Sequence, residues 1–219
     1  ATSMVACGDA DGAVTGNTRR FGASLDKIKQ VVNPRPGEIM FGLNLVVHKG
    51  KTIFVADTSV HEYPGSDQMS EIAISAARVV RLFGFDPKVA FVSHSTFGQP
   101  VTSRTKHIKK AVDILKEKNV DFEFDGDMQP DVALNKDYKN LYPFSKIVGI
   151  ANILIMPGQH SAAISYKMMK ELGDTKVIGP LLIGLGLPIE IAPLRTSTSE
   201  LINLASIAAY SADVIDYKK

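Results

Sequence analysis

Three stretches of the 219-residue chain gather side chains able to do chemistry. The first is Ser93-His94-Ser95-Thr96-Phe97-Gly98, which sits between an apolar run and a helical pattern. Open α/β sheets place ligands at the carboxyl ends of their strands, and hydroxyls, a glycine and a helix N-terminus together suit a phosphate or carboxylate. Ser95, Thr96 and Gly98 are therefore candidate ligand-binding residues, and the plainer alternative is that the hydroxyls only satisfy loop backbone groups. The second stretch, Pro193 to Glu200, puts Arg195 beside a helix start, where it can clamp an anion. In the same stretch Ser197 and Glu200 have the spacing of a capping box, which explains Glu200 as well as acid–base work would. The third, Asp57 with His61 and Glu62, contains residue types that bind metals. No paired His or Glu at ligand spacing supports it, so a turn-capping aspartate and a structural histidine are expected, with no metal site. His48, His94, His107 and His160 share no spacing and are read as structural or exposed.

Several chemistries are excluded by what is missing. Gly184-Leu185-Gly186-Leu187-Pro188-Ile189 lacks the third glycine of a dinucleotide fingerprint and meets a proline where the helix should begin. There is no phosphate loop with Gly-Lys-Ser/Thr and no hydrolase elbow. A net charge of +2, without a basic run interleaved with aromatics, gives no footprint for nucleic acid. The longest apolar stretch, Ile178 to Leu194, is broken by Pro180, Pro188, Glu190 and Pro193, whereas a membrane helix needs roughly 20 uninterrupted apolar residues. The lone Cys7 forbids an intrachain disulfide, fits a reducing cytoplasm, and is expected to be a small buried apolar residue.

The elements that must carry these residues alternate between strand and helix. Met40 to Val47 and Thr52 to Ala56 read as a hairpin turning at Lys49-Gly50-Lys51. A helix from Ser66 to Phe83 follows, capped by Ser66 or Asp67 and ended by Gly84, with Ile72, Ala76, Val79, Val80 and Phe83 on its apolar stripe. Lys88 to Ser93 is a strand whose central Val89-Ala90-Phe91-Val92 is apolar on both faces. The cycle repeats with a helix from a Ser103 cap to Lys118, a strand Asn152 to Met156, a helix Ser161 to Leu172, an apolar run Val177 to Ile183, and a last helix from Ser197 to about Ile215. Asp121 to Tyr142 is expected to be irregular, with a short helix near Pro130. This alternation specifies an α/β fold with a mostly parallel sheet.

Phe54-Val55-Ala56-Asp57-Thr58, Ser70-Glu71-Ile72-Ala73, Pro87-Lys88-Val89-Ala90, the Ser93–Gly98 loop and Ile178 to Leu185 together resemble the phosphate acetyltransferase/butyryltransferase family, over Val14 to Val214. Thr96-Phe97-Gly98, Asp121 to Gly126 and His160 to Ser165 resemble the branch found at the C-terminus of bacterial NADP-dependent malic enzymes. The resemblance implies a two-lobed α/β fold like that of isocitrate and isopropylmalate dehydrogenases, with mostly parallel sheets and flanking helices and an incomplete first lobe. By similarity, residues 1–28 are a remnant of the first lobe, 29–196 the second lobe, and 197–219 a C-terminal helix returning to the first. The chain opens at Ala1 and runs into a Gly/Asp-rich loop, as a piece of a longer protein would.

Active members of the family move an acetyl group between phosphate and the CoA thiol. The resemblance assigns them a Ser-Arg pair, an aspartate shortly after it, and further arginines for phosphate. Laid on this chain, Arg19 or Arg20 matches one such arginine and Arg195 the paired one, but Leu194 stands for the serine and Leu201 for the aspartate, with Glu200 just before it. Losing a hydroxyl donor and losing a base each cost about 10²-fold or more. The ligand-binding set is therefore Arg19, Arg20, Ser95, Thr96, Gly98 and Arg195, with Arg195 and Glu200 as the catalytic pair of a transferase-active alternative. The resemblance implies a regulatory, oligomerising domain of a malic enzyme that binds acetyl-CoA or CoA and forms a dimer through this domain and a larger assembly in the whole enzyme. NADP and the divalent metal would belong to a separate catalytic domain. A purely structural dimerisation module is the third alternative.

Overall fold

The computed structural model describes residues 1–215, the side chain of Lys139 excepted, so residues 216–219 of the expected C-terminal segment lie outside the described residues. A short helix α1 (Thr2–Cys7) leads to β1 (Ala13–Gly16) and α2 (Phe21–Lys29). The hairpin β2 (Phe41–His48) and β3 (Lys51–Ala56) follows, then α3 (Ser66–Leu82), β4 (Lys88–Val92), α4 (Ser103–Glu117) and β5 (Glu123–Met128). Two short helices, α5 (Pro130–Leu134) and α6 (Lys136–Lys139), precede β6 (Ile153–Ile155), α7 (Gln159–Leu172), β7 (Thr175–Ile183), β8 (Ile189–Ala192) and α8 (Thr198–Val214).

Six strands form one sheet in the order β5-β4-β6-β3-β2-β7, and β1 and β8 form a separate parallel pair. In the large sheet β5, β4, β6 and β3 run parallel, while β2 is antiparallel to both β3 and β7. Strand alternation sorts its side chains into two cores. Phe54, Val89, Phe91 and Ile153 pack with Ile72, Ala76 and Val80 of α3 and with Ile108, Val112 and Leu115 of α4. Val55, Ala90, Val92 and Leu154 face the other way, against α5 and Ala162 of α7. Helices on both faces explain why β4 is apolar from Val89 to Val92. A third core joins Val5, Leu25 and Ile28 to Leu182, Ile189 and Ile191, linking the small sheet to the end of β7.

Four local expectations are corrected. Gly65, not Ser66 or Asp67, is the N-cap of α3; its N–H donates to Gln68 Oε1 at 3.0 Å. Thr102, not Ser103, caps α4, its hydroxyl accepting from Thr105 N at 3.2 Å. Cys7 is exposed, because the six-residue α1 buries only Val5. The stretch read as irregular contains β5, an edge strand beside β4. Its polar residues hid it: Asp125 and Asp127 are buried, and their carboxylates accept backbone N–H groups of Lys146 (2.7 Å) and Gly98 (2.9 Å). Inward carboxylates that serve neighbouring loops erase the apolar alternation that marks a strand.

Other local expectations hold. The hairpin turns through Lys49 (φ 48°) and Gly50 (φ 75°), Gly84 ends α3 at φ 82°, and Pro130 opens a short helix. Glu190 of β8 is buried, with Oε2 accepting from Leu182 N at 2.8 Å, and burial pushes its carboxyl up to about 8. Among the described residues no helix is long and apolar enough to cross a membrane.

Candidate functional site

The parallel pairing of β1 with β8 brings distant parts of the chain to one place. Gly16 lies opposite Ala192, and at φ 107° a Cβ there would stand 2.3 Å from Ala192 O, so only glycine permits the approach. Both strands then leave in the same direction, and Asn17 ties their exits together. Its N–H donates to Ala192 O at 2.8 Å, its Oδ1 accepts from Thr196 N at 3.0 Å, and its carbonyl accepts from Arg195 N at 3.4 Å. Arg19 and Arg20 therefore emerge from the same end of the small sheet as Arg195, and all three are exposed. Arg195 is held at φ 61°, a left-handed conformation that costs a non-glycine residue about 1–2 kcal/mol. Thr196, whose hydroxyl donates to Pro193 O at 2.6 Å, helps impose it.

Arg195 lines a cleft of about 340 Å³ between α7, the middle of β7 and the start of α8. Tyr166, Lys167 and Lys170 form the α7 wall, and Ile178 to Pro180 form the floor. The β2–β7 register shifts between Leu43 and Leu45, and Gly179 sits in that shift at φ 115°, where a Cβ would stand 2.8 Å from Leu43 O. Asn44, facing this bulge, is fully buried and neither amide atom finds a partner among the described residues. Burial pushes the Tyr166 phenol upward, so at neutral pH it is an uncharged hydrogen-bond donor.

Glu200 closes the α8 side of the cleft with both oxygens engaged. Oε1 accepts from Lys170 Nζ at 2.9 Å, and Oε2 accepts from Ser197 N and Ser197 Oγ, each at 2.8 Å. Ser197 Oγ in turn accepts from Glu200 N at 3.3 Å, completing the capping box. Lys170 first, then the Ser197 N–H, hold this carboxyl down at about 2. Such a group is a poor base toward a thiol, whose ordinary value is about 8.5. Leu194, in the serine position of the resemblance, is exposed and offers no hydroxyl.

The Ser93–Gly98 loop is elsewhere: none of Ser95, Thr96 and Gly98 lines the cleft. The Ser95 hydroxyl donates to the Asp127 carboxylate, which also accepts from Gly98 N at 2.9 Å, and Thr96 Oγ1 accepts from Gln129 N at 3.3 Å. These groups knit the end of β4 to β5. Asp57 caps its turn as expected. Oδ1 accepts from the N–H groups of Gly42, Ser59 and Val60 at 2.8 to 3.1 Å, and Oδ2 from His61 N at 2.7 Å with the His61 ring at 2.7 Å. No group of three His, Cys, Asp or Glu among the described residues is placed to hold a metal. Sequence reasoning missed Tyr166 and Lys170. Their i, i+4 spacing puts them on one face of α7, a pattern that any solvated helix face also shows.

Residues 1–209 match the family model described as phosphate acetyl/butaryl transferase, and the chain belongs to that family. It is 47% identical over 212 residues to the NADP-dependent malic enzyme of Rhizobium meliloti (strain 1021), a match covering 97% of this chain and 28% of that protein. It is also 30% identical over 213 residues to the phosphate acetyltransferase of Bacillus subtilis (strain 168), covering 96% of this chain and 66% of that one. The crystal structure of a phosphotransacetylase from Streptococcus pyogenes superposes with a TM-score of 0.89 at 29% identity, covering 97% of this chain and 66% of that chain. The chain thus spans under a third of the malic enzyme and about two thirds of the transferases it matches. Its fold is that of the phosphotransacetylases: α/β, mostly parallel, with flanking helices.

Proposed function

We propose that this chain is the regulatory, phosphotransacetylase-like domain of an NADP-dependent malic enzyme, with acetyl-CoA as effector in the Arg195 cleft. The observation that carries the reading is the state of Glu200. It is the only carboxylate the resemblance leaves near the aspartate position, and it is committed to Lys170 and to the helix cap and held at about 2. A cleft whose carboxylate nearest the aspartate position is tied up in this way, with Lys167, Lys170 and Arg195 on its walls, can bind an acyl thioester without turning it over. The 47% identity to a malic enzyme favours the same branch. In this reading oxidative decarboxylation of malate, with NADP and a divalent metal, belongs to the part of the longer protein outside this chain. Copies meet through the outer face of α7, where Ile164, Met168 and Leu172 are 57%, 54% and 81% exposed.

The rival reading is an active phosphate acetyltransferase, favoured by the superposition on a phosphotransacetylase. Mixing the chain with acetyl phosphate and CoA separates the two. The regulatory reading expects no thioester above the uncatalysed rate, and robust formation overthrows it. Calorimetric titration with acetyl-CoA should give saturable binding that Arg195→Ala weakens roughly tenfold, the size of one lost charge-assisted hydrogen bond. Unchanged affinity would remove Arg195 from the site.

A further inference from the structure

The cleft charges differ in how they are employed. On its walls stand Lys167, Lys170 and Glu171 from α7, and Arg195 and Glu200 from the approach to α8 and its first turn. The Arg195 guanidinium makes no hydrogen bond or ion pair among the described residues, and Lys167 Nζ stands 5.9 Å over the Tyr166 ring. Lys170 alone is ion-paired across the cleft, to Glu200. The capping role of Glu200 needs no charge, because a glutamine at that position of a capping box accepts the same N–H. What the charge does is hold Lys170. Both side chains are partly open to water, 45% and 31% exposed, and an ion pair this accessible is weak enough to be exchanged.

We infer that the Glu200 carboxylate is an internal stand-in for the ligand's anionic group, and that a phosphate-bearing ligand enters the cleft by displacing it from Lys170. Lys170 then becomes a specificity-determining contact, meeting a phosphate oxygen from the α7 wall while Arg195 meets the ligand from the other side. Glu200 keeps its Ser197 hydrogen bonds throughout, so α8 stays capped and only the bridge between α7 and α8 opens. The exchange trades one carboxylate for a group of higher charge, which screens the cleft against singly charged carboxylates and favours phosphates and pyrophosphates. This inference rests on the reading of the cleft as a CoA-ester site, and it adds a residue from α7 that the family motif does not contain.

The test titrates the intact chain and three variants, Glu200→Gln, Lys170→Met and the double variant, with acetyl-CoA and separately with inorganic pyrophosphate at fixed ionic strength. Glu200→Gln should bind both probes roughly threefold more tightly than the parent, the scale of a partly exposed ion pair. Lys170→Met should bind them roughly tenfold more weakly, and Glu200→Gln should bring no gain in the Lys170→Met background. A melting curve on each variant confirms the fold, since glutamine keeps the capping box and methionine keeps the apolar stem of Lys170. Tighter binding of pyrophosphate by Glu200→Gln with no acetyl-CoA binding anywhere upholds the exchange and removes CoA esters as the ligand. Acetyl-CoA binding equally to all four proteins overturns the exchange and leaves the cleft assignment standing. A gain that survives Lys170→Met also overturns it.

Discussion

Glu190→Gln should stabilise the chain at neutral pH and leave it unchanged in acid. Glu190 is 5% exposed on β8, and burial lifts its carboxyl from 4.5 to about 8 against one opposing hydrogen bond from Leu182 N. The folded chain therefore keeps a proton that the unfolded chain releases. Stability from this group is fully present below pH 4.5, falls as pH rises from 4.5 through about 8, and is level above it. Each pH unit in that window costs about 1.4 kcal/mol, so at pH 7 the loss is about 3 kcal/mol. Glutamine offers Leu182 N the same acceptor without ionising. The variant should therefore gain about 3 kcal/mol over the parent at pH 7, and nothing near pH 4.5. Urea unfolding followed by circular dichroism at pH 4.5, 6, 7 and 8.5 measures the difference directly. Parallel stability profiles for parent and variant would refute the reasoning, because they would mean that Glu190 ionises inside the fold as readily as outside it.

Other outcomes follow from the same structure. Asp57→Ala leaves the N–H groups of Gly42, Ser59, Val60 and His61 without their acceptor and should cost about 3 kcal/mol or more in thermal unfolding. Gly16→Ala drives a Cβ against Ala192 O at φ 107° and should cost about 2 kcal/mol or more, and calorimetry should show weaker acetyl-CoA binding because Arg19 and Arg195 lose their common anchor. Ser197→Ala removes the cap of α8 and should lower stability by about 1 kcal/mol in a denaturant titration. The depressed carboxyl of Glu200 contributes stability above pH 4.5 that is lost as pH falls through about 2. An acid titration of Glu200→Gln should lack that part of the transition.

The large sheet was legible because its covering helices bury whole stripes: Ile108, Val112 and Leu115 repeat at helical spacing and face one core. The capping box at Ser197 was legible from spacing alone. β5 was not, because Asp125 and Asp127 point inward to bind backbone of neighbouring loops. The β1–β8 pair was hidden for a different reason. Each strand has only four residues, and their pairing joins residues at opposite ends of the chain, which no local pattern can announce. At the site, Arg195 and Glu200 came into view through family motifs and helix-start chemistry. Lys170 did not, because a lysine on an exposed helix face carries no sign of what it meets across a cleft.

The pairing of β1 with β8 also fixes how the chain runs between its two sheets. The whole six-stranded sheet with its helices is a single excursion of the chain, leaving the small sheet after α2 and returning at β8. The chain crosses between the two sheets twice, at residues 30–40 and 184–188, and the crossings are hydrogen-bonded to each other, Arg35 N to Gly184 O and Gly186 N to Asn33 O. Gly37 and Gly184 sit in them at φ 72° and 84°. The Lys170–Glu200 bridge joins α7 to the first turn of α8, a helix that packs against β1 and β8 and also against β7 of the large sheet. Opening that bridge frees α7 from the first turn of α8 while Ala192 and Leu204 stay packed in the core of the large sheet, so the change is confined to the mouth of the cleft.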